Sequence, residues 1–211
     1  MGLISLFFEN PGGFFLLLLL LLYSVIIHEV SHGFVALLFG DNTAKIYGRL
    51  TLNPLSHIDI FGMLMLLFVG FGWAKPVPIN YYKLKNFRLG LFSVALAGCL
   101  SNLILATISI FLLETKFFFG FFAEILYILA RINITLAVFN LLPIPPLDGS
   151  KVLFSILPER FHYKIAYLDY IGIFILIILL ISGILDPIIN IFNSIILKFI
   201  LYILRFLNFG R

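Results

Sequence analysis

The stretch FFLLLLLLLYSVIIHEVSHGFVALLF, residues 14–39, decides the fold. It is longer than the roughly 20 apolar residues a helix needs to cross a bilayer, and it carries His28-Glu29-Val30-Ser31-His32 inside it. On a helix, positions i and i+4 lie one above the other, so both imidazoles point at one spot and Glu29 stands one step round from them. H-E-x-x-H is a zinc-hydrolase signature, in which the histidines ligate the metal and the glutamate works on a water. Two histidines and an ionisable glutamate are costly at membrane depth unless something compensates them, and a metal ion does so.

Composition agrees with a membrane protein. Of the 211 residues, 62% are hydrophobic and 11% charged, with a mean hydropathy of +1.15. That leaves too little polar surface for a soluble globule and predicts an all-α polytopic membrane protein, read as one domain over 1–211. The single Cys99 excludes an intramolecular disulfide and reads as packing. Fourteen basic against ten acidic residues give +4. In this context the excess encodes topology in a lipid bilayer, not nucleic-acid binding. The N-terminus lacks a basic flank and a small-residue cleavage site before His28, so the first helix is expected to be retained. These residues show no internal repeat, and no soluble appendage is expected.

Five segments read as spans: 14–40, 89–113, 117–142, a short one at 170–185, and 188–208. The run from Phe61 to Gly72 is shorter and holds Gly62, Gly70 and Gly72. It reads as a re-entrant or interfacial piece with short extended flanks. With the first N-terminus outside, segments 41–88, 143–169 and the C-terminal end share one side. That side collects Lys45, Arg49, Lys75, Lys83, Lys85, Arg88, Lys151, Arg160, Lys164, Arg205 and Arg211, while Glu9, Lys116 and Asp186 fall on the other. The bias makes the basic side cytoplasmic.

A catalytic zinc usually has three protein ligands. Candidates for the third are Asp59, Glu114, Glu124, Asp148, Glu159, Asp169, Asp186, His57 and His162. His57, in a proline-containing stretch, reads as a surface or interfacial histidine, and His162, between Arg160 and Lys164, as a solvated one. Asp148 stands out because Pro143, Pro145 and Pro146 stop the preceding helix and leave an extended segment, which survives at membrane depth only where it lines a protein cavity. Glu124 and Arg131, seven residues apart, read as a structural polar pair facing the bundle interior. Gly98 and Asn102 at i, i+4 suggest a close helix contact in which Asn102 bonds a neighbouring backbone.

Together, His28-Glu29-x-x-His32 and Asn140-x-x-Pro143-x-Pro145-x-Leu147-Asp148-Gly149 resemble the site-2 protease family of intramembrane zinc metalloproteases. Supporting stretches are Gly48 to Pro54, Gly72 to Asn80 and Ala97 to Asn102, with Cys99 where the family often has proline. The resemblance covers roughly residues 20–155 and looks like a compact member without a peptide-binding insert. It implies a catalytic core over 14–155, followed by a C-terminal loop and two helices over 156–211. It also implies one catalytic Zn2+ held by His28, His32 and Asp148, with Glu29 as general base and Asn140 contacting the substrate backbone or the developing oxyanion. The implied substrates are transmembrane-helix proteins, and the implied location is a prokaryotic cytoplasmic membrane with the site toward the cytoplasm. Trp73 to Asn80, made extended by Pro76 and Pro78, offers either an edge for an unwound substrate or an ordinary interfacial loop. Two other readings stand beside this one: a metal or proton transporter using the same His, Glu and Asp residues, and a different membrane zincin ligated by Glu159.

Overall fold

In a computed structural model, residues 3–69, 72–158 and 165–208 are described, and they are helical with no strand. The helices are α1 (Leu3–Glu9), α2 (Pro11–Leu38), α3 (Thr43–Ile46), α4 (Ile60–Val69), α5 (Phe87–Glu114), α6 (Phe121–Asn140), α7 (Asp148–Ile156), α8 (Ile165–Ile181) and α9 (Leu185–Asn208). Four of them, α2, α5, α6 and α9, are long and apolar enough to cross a membrane, and α8 is a shorter apolar helix. The first span starts where the local chemistry dictates. Asn10 caps the helix by accepting from Gly13 N at 2.9 Å, with Pro11 in the first turn. Ahead of that cap, α1 turns back along α2, packing Phe7 against Phe14 and Phe15. The sequence reading did not foresee this element.

Helices α2, α5 and α6 form the centre. Ala106 and Ile110 of α5 meet Ala130, Ile134 and Val138 of α6 and Ile200 and Leu204 of α9 in one apolar cluster. With a large share of the outer surface still apolar, as lipid contact requires, the inner faces are free to carry polar residues. Ser24, His28, His32, Asn102 and Asn133 are all buried.

The short run after Asp59 folds back on itself, which suits the re-entrant or interfacial piece that its length predicts. Asp59 caps α4 through a 2.8 Å bond to Gly62 N. The chain then returns beside the same helix: a Cβ at Gly62 would overlap the Trp73 backbone, and one at Gly72 would overlap Gly62 and Leu66. Two glycines thus let the outgoing helix and the returning segment touch backbone to backbone. The returning residues 72–80 form neither helix nor assigned strand.

The C-terminal path differs from the expected hairpin. Leu168 of α8 packs with Leu91 and Phe154 at the end carrying the basic loops. Leu176 and Leu185 then share a cluster with Leu142 and Leu147. Gly183, at φ 69°, closes α8 in the left-handed conformation that glycine adopts without strain. From there α9 runs antiparallel to α6: Asn193 bonds Thr135 at 3.1 Å, and Leu204 lies beside Ala130 and Ala106. Helices α8 and α9 therefore take the chain across once between them. Arg205 lies at the end opposite the basic loops, where the sequence reading had put it with them, and Asp186, expected on the far side, opens α9 beside Leu142. Apolarity alone could not distinguish a hairpin from two successive segments of one traverse.

Glu124 and Arg131 also depart from expectation. Both are exposed and form no ion pair with each other. Arg131 instead donates to Tyr127 OH at 3.3 Å and lines an outward-facing groove of about 400 Å³ with Leu17 and Leu21. Glu159, Arg160, His162, Lys164 and Arg211, named in the sequence reading, lie outside the described residues.

The α9 direction makes a direct prediction. In a Cys99→Ser background, cysteines at the exposed positions Tyr47 and Phe206 should react with a membrane-impermeant maleimide from opposite faces of sealed vesicles. Labelling from the same face would refute the traverse.

Candidate metal centre

Two elements distant in sequence bring three side chains to one point. Helix α2 supplies His28 and His32 from one face, and Asp148 comes from the first turn of α7. The two Nε2 atoms are 3.0 Å apart, and Asp148 Oδ2 lies 3.1 Å from His28 Nε2 and 3.0 Å from His32 Nε2. Among the described residues this is the one group of three His, Cys, Asp or Glu side chains spaced to hold a metal ion. Asp59, Glu114, Glu124, Asp169, Asp186 and His57 are not in it.

Asp148 reaches this depth because α6 ends at Asn140 and the proline segment brings the chain back beneath it. A Cβ at Gly149 would overlap the carbonyls of Leu141 and Leu142, so the turn needs glycine just after Asp148. Helix α5 closes the other side. A Cβ at Gly98 would fall 2.5 Å from His28 Cε1 and would also overlap His32. The close contact that the sequence suggested at Gly98 is therefore with the imidazoles.

The protons follow from the partners. His32 Nδ1 lies 2.6 Å from Val94 O, which can only accept, so Nδ1 carries a proton and, in the neutral ring, Nε2 is the nitrogen with the lone pair. His28 Nδ1 lies 2.9 Å from Asn102 Oδ1, which fixes the same tautomer. Asn102 thus bonds a histidine side chain instead of the backbone expected for it. Asp148 Oδ2 is buried and receives no hydrogen bond. Two Nε2 atoms and a carboxylate oxygen converge at 3.0–3.1 Å, an arrangement that calls for a positive charge among them, as a proton or a metal ion. Tetrahedral zinc with N and O ligands at 2.0–2.1 Å separates its ligands by about 3.3 Å. The donor set and spacing fit zinc.

Glu29 is half-buried, and its Oε2 accepts from Val77 N at 2.9 Å. That bond is one of several holding residues 75–80 in place. Lys75 N donates to His57 O at 2.8 Å, Arg49 Nη2 to the carbonyls of Lys75 and Pro76 at 2.7 and 3.2 Å, and Asn80 N to Asp41 Oδ2 at 2.7 Å. Asp41 is fully buried and also takes Thr43 through its backbone N and hydroxyl. His57, expected at the surface, is fully buried with Nε2 against Thr51 O at 2.9 Å. Its place under the returning strand needs tertiary packing that a proline-containing stretch does not announce.

Asn140 stands at the last turn of α6, half-buried, and donates to Leu136 O at 2.9 Å. Sequence reasoning missed Asn133, Ser24 and Tyr81. Tyr81 packs against both Val94 and Phe154. Burial, followed by the carboxylates of Asp148, Asp169 and Glu29, pushes its phenol well above the ordinary range, so it stays neutral. The visible signal for Asn133 was an amide within an apolar span, which ordinarily marks an interhelical bond.

A sequence model described as peptidase family M50 matches residues 114–182, the part that carries Asp148. Over 190 residues the chain is 38% identical to the "Putative zinc metalloprotease YwhC" of Bacillus subtilis, covering 84% of this chain and 87% of that one. It is 32% identical over 188 residues to the "Putative zinc metalloprotease Rip2" of Mycolicibacterium smegmatis, covering 83% and 70%. It is 29% identical over 170 residues to the "Zinc metalloprotease MJ0392" of Methanocaldococcus jannaschii, covering 77% and 41%. No solved structure matches the chain. Nothing in these likenesses favours a transporter. Identity at that level across most of two chains of similar extent makes this protein a member of peptidase family M50, the site-2 protease family of zinc metalloproteases.

Proposed function

We propose that this intramembrane zinc metalloprotease cleaves peptide bonds in or near transmembrane helices of membrane-protein substrates, using one zinc ion held by His28, His32 and Asp148. The observation that carries the reading is the convergence of two imidazole Nε2 atoms and a buried carboxylate oxygen within 3.1 Å. When bound, zinc supplies Lewis acidity, which activates water near neutral pH and polarises the scissile carbonyl.

The remaining roles belong to the chain. Glu29 takes a proton from the attacking water and returns it to the leaving amine. The Val77 N–H holds Glu29 Oε2, leaving Oε1 to move that proton. Asn140, with one N–H of its amide bound to Leu136 O, keeps the other for a substrate carbonyl. A substrate helix has its peptide groups locked in hydrogen bonds and must unwind before it is cut. Residues 73–80, outside any helix and bonded to Glu29 through Val77 N, form the wall along which the unwound chain is placed. Residues 14–155 make the catalytic core, with 156–211 completing a single domain.

The site faces the cytoplasm of a prokaryotic cell in this reading. Lys45, Arg49, Lys75, Lys83, Lys85, Arg88 and Lys151 lie in or beside the loops and helix ends nearest Asp148, while Lys116 and Arg205 lie at the far end.

Three measurements test these roles on purified protein with transmembrane-helix substrates in liposomes. Glu29→Gln should keep its zinc and lose cleavage by about 10²–10⁴-fold; an active variant would remove Glu29 as the base. Asp148→Ala should lose stoichiometric zinc and cleavage together, and retention of tightly bound zinc would place the third ligand elsewhere. Gly98→Ala should also fail to retain zinc, because the added methyl occupies the space of the two imidazoles.

A further inference from the structure

We propose that Asn133 is a positioning residue for the metal centre. It holds the amide of Asn102 so that a carbonyl oxygen, not an NH2 group, faces His28, and thereby selects the imidazole tautomer able to ligate zinc. The inference rests on the zinc reading above.

The two histidines reach the same tautomer by different routes. His32 is set by a backbone carbonyl, Val94 O, which has no alternative orientation. His28 is set by a side-chain amide, and the two ends of an amide are nearly equal in size, so packing does not choose between them. Rotated by half a turn, Asn102 would offer an N–H to His28 Nδ1. The imidazole would then carry its proton on Nε2, pointing into the metal site where the lone pair is required.

A chain of buried bonds settles the choice. Asn102 Nδ2 donates to Asn133 Oδ1 at 3.0 Å. Asn133 cannot reverse in its turn, because its Nδ2 donates to Leu129 O at 2.8 Å, a carbonyl that only accepts. The same Nδ2 donates to Ser24 Oγ at 2.9 Å, and Ser24 passes its own proton to Leu20 O at 2.7 Å. Asn102 and Asn133 are 0% exposed and Ser24 1%. Every proton in the series is therefore ordered from two main-chain carbonyls, one in α2 and one in α6, through to Nδ1 of His28. Partners that orient a metal-bound histidine commonly govern affinity 10–100-fold. Here that control is carried by a third helix through an intermediate amide.

The test is zinc affinity of the purified full-length chain in detergent, measured by chelator competition, with the thermal melt of each metal-free variant as a check on folding. Asn133→Leu should weaken zinc about 10–100-fold. Ser24→Ala should have a smaller effect, because Leu129 O still orients Asn133. The double variant Asn102→Asp with Asn133→Leu should recover most of the lost affinity, since a carboxylate presents an acceptor oxygen in either orientation. Asn133→Ala, which adds no bulk, makes the same comparison if the leucine variant does not fold. Unchanged affinity in the folded Asn133 variants would overturn the proposal, as would a loss that Asp at position 102 does not rescue, which would indicate packing. A wild-type chain that binds no zinc would overturn the zinc reading itself, a result distinct from either.

Discussion

Two imidazole nitrogens and a carboxylate oxygen lie within 3.1 Å of one another in an apolar protein. Such a group calls for a positive charge among its members, the more so in the low dielectric of a membrane interior. A divalent cation supplies it. The surrounding structure holds those three atoms close and turned inward: Val94 O and Asn102 Oδ1 take the outer imidazole protons, and Gly98 leaves the space in which the two rings lie. The proline segment after α6 and the glycine at 149 return Asp148 to the depth of the histidines.

The same constraint explains why polar residues lie inside and apolar ones outside. A soluble enzyme can hydrate whatever its site leaves unpaired, whereas here each buried amide or hydroxyl needs a partner within the bundle. The Ser24, Asn133 and Asn102 series meets that need and terminates on helix carbonyls. The returning strand at 72–80 is handled likewise, with the N–H groups of Lys75, Val77 and Asn80 each taken by His57, Glu29 and Asp41. One of those bonds ends on the proposed general base, so the strand that would carry substrate and the group that would move the proton are mechanically joined.

Much of this was legible in the amino-acid sequence. Apolar length gave the spans, and an i, i+4 histidine pair on a helix has little choice but to converge. Three prolines before Asp148 announced a helix stop beside a carboxylate, and Gly62 and Gly72 marked a run that folds back on itself. These signals are local: each depends on the geometry of one segment and survives whatever surrounds it.

What only the tertiary structure decided was partnership and direction. Asn102 could bond backbone or side chain, His57 could be wet or buried, and Arg131 could face the bundle or the outside, because residue type states what a group can bond and not which element will be beside it. The course of α8 and α9 is the same case on a larger scale. Two apolar segments joined by a glycine turn serve equally as a hairpin or as one broken traverse, and the packing of Leu185 on Leu142 and of Leu204 on Ala130 chose the traverse. The sequence by itself determined that a helix inside a membrane bundle would turn two histidines to one spot; long-range packing determined which side chains surround and order them.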